Sequence, residues 1–493
     1  MARSVDGGPL PELTSGRERA ESWDIRLFRW FGMTLGILVV AYLFLDRGVA
    51  HVHPPKAKVA FIGEMTLAFG VIAIVCGTRW LRKALARDAI LATLVAYMLW
   101  ALFRTVPNIR DFGLQTTVRD AALWYYAGFG IALVTAATAV PDLPERFVRG
   151  FRRVVPWLSL WLPIALLVQR SGIKGPHFRW DGVPMFAHRP GNVCCAAVIC
   201  LAFVLLVPEQ GRARGSAGAP ARFFVRPYHP LLRTAVVALD LMAILLGATQ
   251  TRGGGLAALV GVVLIFACME RRRRMRILVP FVAGITLVLT IGLLTGASYH
   301  TKQRTVSVAQ LFENAQSISG GSELQVSVNF RTSLWETILR QQTETSRLVT
   351  GFGFGPNLAI IGGLTEKQPQ TAVAAELESA HNSLLDIFAR TGIIGASLFL
   401  IVWLGWFRRM FFALRRFRGE DDIRGVVAAC AIGCVAIFIN CFFDPTLEGA
   451  QVAVVLFTLF GLGLVCARRP SAAEEARRQR LSLGLARPAT PSK

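Results

Sequence analysis

Three side chains on this chain are suited to moving a group away from an anionic leaving group: Arg252, Arg331 and His381. A guanidinium stays charged at physiological pH, and its fork of N–H donors can bind two phosphate oxygens at once. A neutral imidazole can take a proton from an attacking hydroxyl. Arg252 lies in the run Thr249-Gln250-Thr251-Arg252-Gly253-Gly254-Gly255 and heads an otherwise uncharged apolar stretch, where the glycines let a neighbouring backbone or ligand approach closely. His381 lies in Glu378-Ser379-Ala380-His381-Asn382-Ser383-Leu384-Leu385-Asp386, shortly before the apolar run from Gly392 to Trp406. Ser379 is positioned to cap the helix that follows, and the helix N-terminus disfavours an imidazolium, so a neutral His381 is expected. Glu378 can orient that ring.

Each of these residues also has a plainer reading. Arg252 can snorkel to lipid headgroups, Arg331 can meet solvent or lipid phosphate, and His381 can be a capped helix-end histidine. Lys302, Arg304, Arg179 and Arg189 read first as topology or surface residues. Considered together, two arginines and a histidine on one membrane face point to metal-free group transfer from a diphosphate. The outside loops hold no DxD-type metal motif, since Asp181 and Asp444 stand alone, and the chemistry calls for no cofactor.

Composition sets the frame that must position these groups. Hydrophobic residues make up 53% of the 493 and charged residues only 17%, against about 25% in an ordinary soluble domain. The mean hydropathy is +0.48. Apolar runs alternate with basic clusters, as expected for an all-α polytopic membrane protein. The runs predict about twelve spans, at roughly 28–46, 59–77, 86–103, 119–139, 152–169, 191–207, 231–248, 254–270, 277–296, 388–407, 425–443 and 450–467. The formal net charge of +23 does not imply nucleic acid, because the arginines punctuate the spans instead of sharing one face. With the N-terminus inside and Arg29, at the edge of the first span, counted with the tail, 36 of the 54 Lys and Arg residues fall on inside segments, so both termini are expected in the cytoplasm. The nine cysteines lie in or beside apolar runs and show neither zinc-ligand spacing nor a disulfide framework.

The expected organisation is a cytoplasmic tail (1–27), nine spans (28–296), a large extracytoplasmic loop (297–387), three further spans (388–467) and a basic, disordered tail (468–493). A loop that long is usually functional. Within it, the apolar residues around Arg331, Leu334, Trp335 and Ile338 suit an amphipathic helix resting on the membrane or on the spans. Gly351-Phe352-Gly353-Phe354-Gly355-Pro356 reads as a tight turn; as a nucleotide loop it lacks a preceding strand.

These motifs resemble the O-antigen ligase and polymerase superfamily of bacterial membrane proteins. The resemblance rests on Thr251-Arg252-Gly253-Gly254; on Arg331-x-x-Leu334-Trp335 followed by Gly351-Phe352-Gly353; and on His381-Asn382-Ser383-Leu384-Leu385 leading to Thr391-Gly392-Ile393-Ile394-Gly395. It covers about residues 185–410, with Pro190-Gly191-Asn192 as a weaker element. It implies a GT-C-like, metal-independent, inverting glycosyltransferase of the bacterial inner membrane. Such an enzyme takes a glycan from undecaprenyl diphosphate on the outer face and gives it to a hydroxyl on a lipid, glycan or protein acceptor. Arg252 and Arg331 match positions that bind the donor diphosphate, and His381 matches the base; Glu378, Asn382, Lys302, Arg304 and Arg189 are possible supporting residues. Ligase and polymerase differ in the acceptor, and the motifs lean towards ligase. A transporter or lipid-linked glycan flippase is the alternative from another class, with Asp240 as its clearest mid-span acid, but no half-to-half symmetry is visible.

Overall fold

A computed structural model of the chain describes residues 22–50, 52–53, 61–171, 184, 186–207, 228–271, 325–363, 379–418 and 420–471, together with 274–275, 286, 290, 294–295, 298–300, 305–307, 474–475 and 481. The fold is all-α and polytopic, apart from a small antiparallel strand pair, Ser298–His300 with Thr305–Ser307. Among the described residues eight helices are long and apolar enough to cross a membrane, or nine if Ile62–Cys76 and Thr78–Ala86 form one span bent by 89°. The apolar helices Pro190–Leu206 and Arg252–Cys268 are shorter. Eleven of the twelve expected spans thus coincide with helices. The remaining one, 277–296, falls largely outside the described residues, as do both tails.

The helix ends follow from local chemistry. Asp88 caps the Ala89–Thr105 helix by accepting from the Ile90 N–H at 2.9 Å, and prolines open the Pro190–Leu206 and Pro230–Ala248 helices, where the missing N–H costs nothing. Ala450–Ala467 is the central helix, with almost every residue buried. Around it Trp403, Trp406, Phe438, Phe457 and Phe460 form a continuous aromatic contact; the Trp403 and Phe438 rings lie 4.4 Å apart.

The long Ser383–Arg416 helix is two helices joined at Gly392, whose φ of 65° and ψ of −169° are not helical. The N–H groups freed by this break are met across the chain: Ile393 donates to the Leu348 carbonyl at 3.0 Å and Ile394 to that of Val349 at 3.4 Å. The break lets a short helix behind His381 join a full span at an angle that an uninterrupted helix would forbid.

Candidate functional site

The Arg252–Cys268 helix begins with Thr251 as its cap, the hydroxyl accepting from Gly254 N at 3.5 Å. Its glycines are contact surfaces. A Cβ on Gly253 would lie 2.7 Å from the Phe443 Cβ, and one on Gly254 2.7 Å from the Gly191 Cα. This close packing brings Arg252 to the C-terminal end of the Asp421–Phe443 helix. As the first helical residue, Arg252 adds its charge to the positive end of the helix dipole, and both favour an anion there.

Arg331 reaches the same point from another direction. It lies on the Gln325–Glu344 helix and donates from Nη1 to the Phe443 carbonyl at 2.8 Å. One turn further on, the Trp335 indole donates to the Ala380 carbonyl at 2.7 Å. Leu334 and Ile338 are buried against Phe352, Leu358, Ala380 and Ala389, so the amphipathic helix rests on protein. The Arg-x-x-Leu-Trp spacing therefore has a physical meaning. A single helix face holds the end of one span and the residue just before His381.

His381 has a left-handed backbone, with φ at 56°. Its N–H donates to Ser379 Oγ at 3.4 Å, and the Ala380 N–H donates to the buried Asp386 carboxylate at 2.7 Å. The helix cap is Asn382, not Ser379 as expected from sequence. Asn382 Oδ1 accepts from Leu384 N at 3.0 Å and Leu385 N at 3.2 Å, because the left-handed turn at His381 leaves Ser379 too early in the chain to reach the free amides. Ser383 then ties this helix to the segment after Phe443, its hydroxyl donating to the Asp444 carbonyl at 3.5 Å and accepting from Leu447 N at 3.3 Å. Burial lowers the His381 pKa below its ordinary value; Arg331 and Arg189 lower it further, against an opposing pull from Asp444. The expected neutral imidazole is thus obtained mainly by desolvation and neighbouring guanidiniums.

Arg189 belongs to this group as well. Its guanidinium faces the Asp444 carboxylate at 3.4 Å, while its backbone N–H donates to Asp46 at 2.6 Å. Asn192 Nδ2 donates to the other Asp46 oxygen at 2.9 Å. A Cβ on Gly191 would meet Asn440 Oδ1 at 2.3 Å, so the Pro190-Gly191-Asn192 element packs directly on the Asp421–Phe443 helix. Glu378, Lys302, Arg304 and Arg179 lie outside the described residues.

The Gly351–Pro356 segment is a turn, as its composition suggests. Gly351, Gly353 and Gly355 have φ of 73°, 82° and 114°. Phe352 N and Gly353 N donate to the carbonyls of Ala389 and Arg390 at 2.8 and 2.9 Å, and Gly355 N donates to Asp120 at 2.6 Å. Asp120 also pairs with the buried Arg390. The turn clasps the break at Gly392 to the neighbouring helices.

His381 and Arg189 share a cavity of about 510 Å³ with Arg47, Arg119, Asp444, Glu64 and Tyr126. No local pattern in the sequence points to Arg47, Arg119 or Glu64, and Asp444 stands isolated there. The legible signal for Asp444 is the Asp-Pro step that ends a span on the loop-bearing face.

In comparison with known families, the family model described as O-antigen ligase matches residues 237–400, about a third of the chain. No curated protein matches the chain. The matched segment contains Arg252, Arg331 and His381, the residues on which the resemblance rests. It supports a membrane glycan-processing enzyme acting on lipid-linked glycan and acceptor substrates. With its apolar helices, the chain is a polytopic membrane protein whose residues 237–400 are similar to the O-antigen ligase family.

Proposed function

We propose that this protein is a glycosyltransferase that moves a glycan from a polyprenyl diphosphate, such as undecaprenyl diphosphate, to an acceptor hydroxyl, in the manner of an O-antigen ligase. The observation that carries the reading is the convergence at Phe443, where Arg252 packs through Gly253 and Arg331 bonds the carbonyl, beside a desolvated His381. In the reaction the acceptor oxygen attacks the anomeric carbon while His381 takes its proton. The new glycosidic bond forms as the bond from the anomeric carbon to the phosphate oxygen breaks. The polyprenyl diphosphate leaves with the electron pair, and the configuration inverts. Arg252 and Arg331 stabilise the charge that develops on the leaving phosphate, with no call on a metal. Arg189, held by Asp444, and Asn382, the cap behind His381, support the geometry.

The arginine distribution supports cytoplasmic termini, with the 297–387 loop and the site on the outer face of a bacterial inner membrane. That sidedness suits the chemistry, because a diphosphate donor carries its own activation where nucleotides are scarce.

The test is transfer by the purified, reconstituted protein from a polyprenyl-diphosphate glycan. His381→Ala, Arg252→Ala and Arg331→Ala should each abolish product while protein abundance stays near normal. Undiminished product from His381→Ala would remove the mechanism. The glycan profile of a deletion strain then separates the acceptor classes: full-length polymer stranded on the lipid means ligase, and accumulated single repeats mean polymerase.

A further inference from the structure

The cavity beside His381 extends to a cluster that the transfer chemistry does not use. Glu64 lies in the first turn of the Ile62–Cys76 helix, and its Oε1 accepts from the Tyr125 hydroxyl at 2.8 Å and the Tyr126 hydroxyl at 2.5 Å. Its Oε2 is buried and has no hydrogen-bond partner among the described residues. All three side chains line the same cavity as His381. The two tyrosine rings lie 4.6 Å apart at a steep angle and form an aromatic wall beside the carboxylate.

The hydrogen-bonding inventory of this cluster selects its ligand. Both tyrosine protons are already given to Oε1, so what the cluster has left to offer a ligand are acceptor lone pairs on the two hydroxyl oxygens, with the buried Oε2 behind them. A group of acceptors calls for a ligand that brings O–H or N–H donors. Arg47, Arg119 and Arg189 in the same walls disfavour a cation, and Glu64 disfavours an anion. Of the other acids in these walls, Asp444 faces Arg189 and Asp120 faces Arg390, and Glu448 adds a further negative charge against the three arginines. A neutral polyhydroxylated ring fits these constraints, with aromatic surface for its apolar face.

We infer that Glu64, Tyr125 and Tyr126 form a subsite for a sugar ring of the acceptor glycan, which sets the hydroxyl presented to His381. This rests on the function proposed above. Arg252 and Arg331 gather at Phe443 and do not line this cavity, whereas the Glu64 cluster shares it with His381, so the cluster is assigned to the acceptor and not to the donor diphosphate. The cluster also lies outside residues 237–400, in a part of the chain that the family match does not cover.

The first test is titration of the full-length protein in detergent with methyl hexopyranosides of gluco, galacto and manno configuration, read by calorimetry. At least one should bind saturably to the wild type. Glu64→Gln should weaken it tenfold or more and Tyr125→Phe severalfold, at unchanged thermal midpoints. The absence of saturable binding to the wild type, or equal binding by well-folded variants, overturns the subsite. If Glu64→Gln does not fold, Tyr125→Phe, which keeps the ring, carries the test.

The second test is steady-state transfer. Glu64→Gln should raise the acceptor KM tenfold or more and leave the donor KM within twofold. A rise in donor KM instead assigns the ring to the donor glycan and overturns the acceptor assignment. Sugar binding that depends on Glu64 in a protein without transferase activity removes the proposed function and with it the acceptor role. Transfer with an acceptor KM indifferent to Glu64 removes the subsite alone.

Discussion

The two ends of the helix bundle use arginine in opposite ways. The Ala89–Thr105 helix connects them: Asp88 caps one end, and at the other Arg104 donates to the Gly351 carbonyl at 2.9 Å. At the Asp88 end, acids and carbonyls take up the cations. The buried Asp88 receives both Arg409 and Arg468, Glu145 receives Arg469, and Arg416 donates to the Ala467 carbonyl at 2.6 Å. At the His381 end, Arg331 is held by a helix-terminal carbonyl, and Asp444 opposes the effect of Arg331 and Arg189 on the imidazole. A carbonyl orients a guanidinium without cancelling its charge. The first end closes the fold; the second keeps the positive charge that the proposed function needs for a diphosphate.

The largest expected effect that separates the two ends is His381→Ala, which should cost roughly 10²–10⁴-fold in transfer rate with folding intact. Its counterpart, Asp88→Ala, should act in the opposite sense. It leaves two arginines without their buried partner and should destabilise the protein by about 3–5 kcal/mol, seen as lost abundance and a lower melting temperature, while any protein that folds keeps its turnover. If Asp88→Ala abolished turnover in well-folded protein, the division between the ends would not hold.

Gly392→Ala comes next. Its Cβ would lie 2.2 Å from the Val349 carbonyl oxygen, and its backbone conformation alone would cost about 1–3 kcal/mol. The expected readout is a lower melting temperature together with weaker activity, because the break at Gly392 positions both the loop and His381. Trp335→Phe removes the hydrogen bond to Ala380 while keeping an aromatic ring against Phe442, and the lost bond should cost about 0.5–1.5 kcal/mol in the positioning of His381. A reduced kcat at unchanged abundance is the measurement that checks it.

The smallest effect is on pH dependence. The His381 pKa lies below its ordinary value of about 6.5, and the base must be neutral, so the acid limb of the rate profile should fall below pH 6.5. Arg189→Gln removes one of the charges that depress it and should move the limb upward. The same shift governs stability. The unfolded chain takes up this proton first, so the contribution of His381 falls as pH drops through 6.5. A limb that moved downward in Arg189→Gln would separate the two residues.

The sequence by itself determined the apolar spans, because hydrocarbon demands long runs without charge wherever the chain crosses it. It also determined the order of the motifs around Arg252, Arg331 and His381, and the turn at Gly351, since only glycine accepts three positive φ angles in so short a stretch. The tertiary structure decided which charges meet. Asp46, Arg189 and Asp444 are separated by more than a hundred residues at each step, and no local pattern pairs them. It also decided that Asn382 caps the helix where Ser379 was expected, because a left-handed His381 changes the reach of every side chain before it. The cavity that joins Glu64 to His381 is likewise beyond local sequence, because its walls come from helices far apart in the chain whose distances only packing sets.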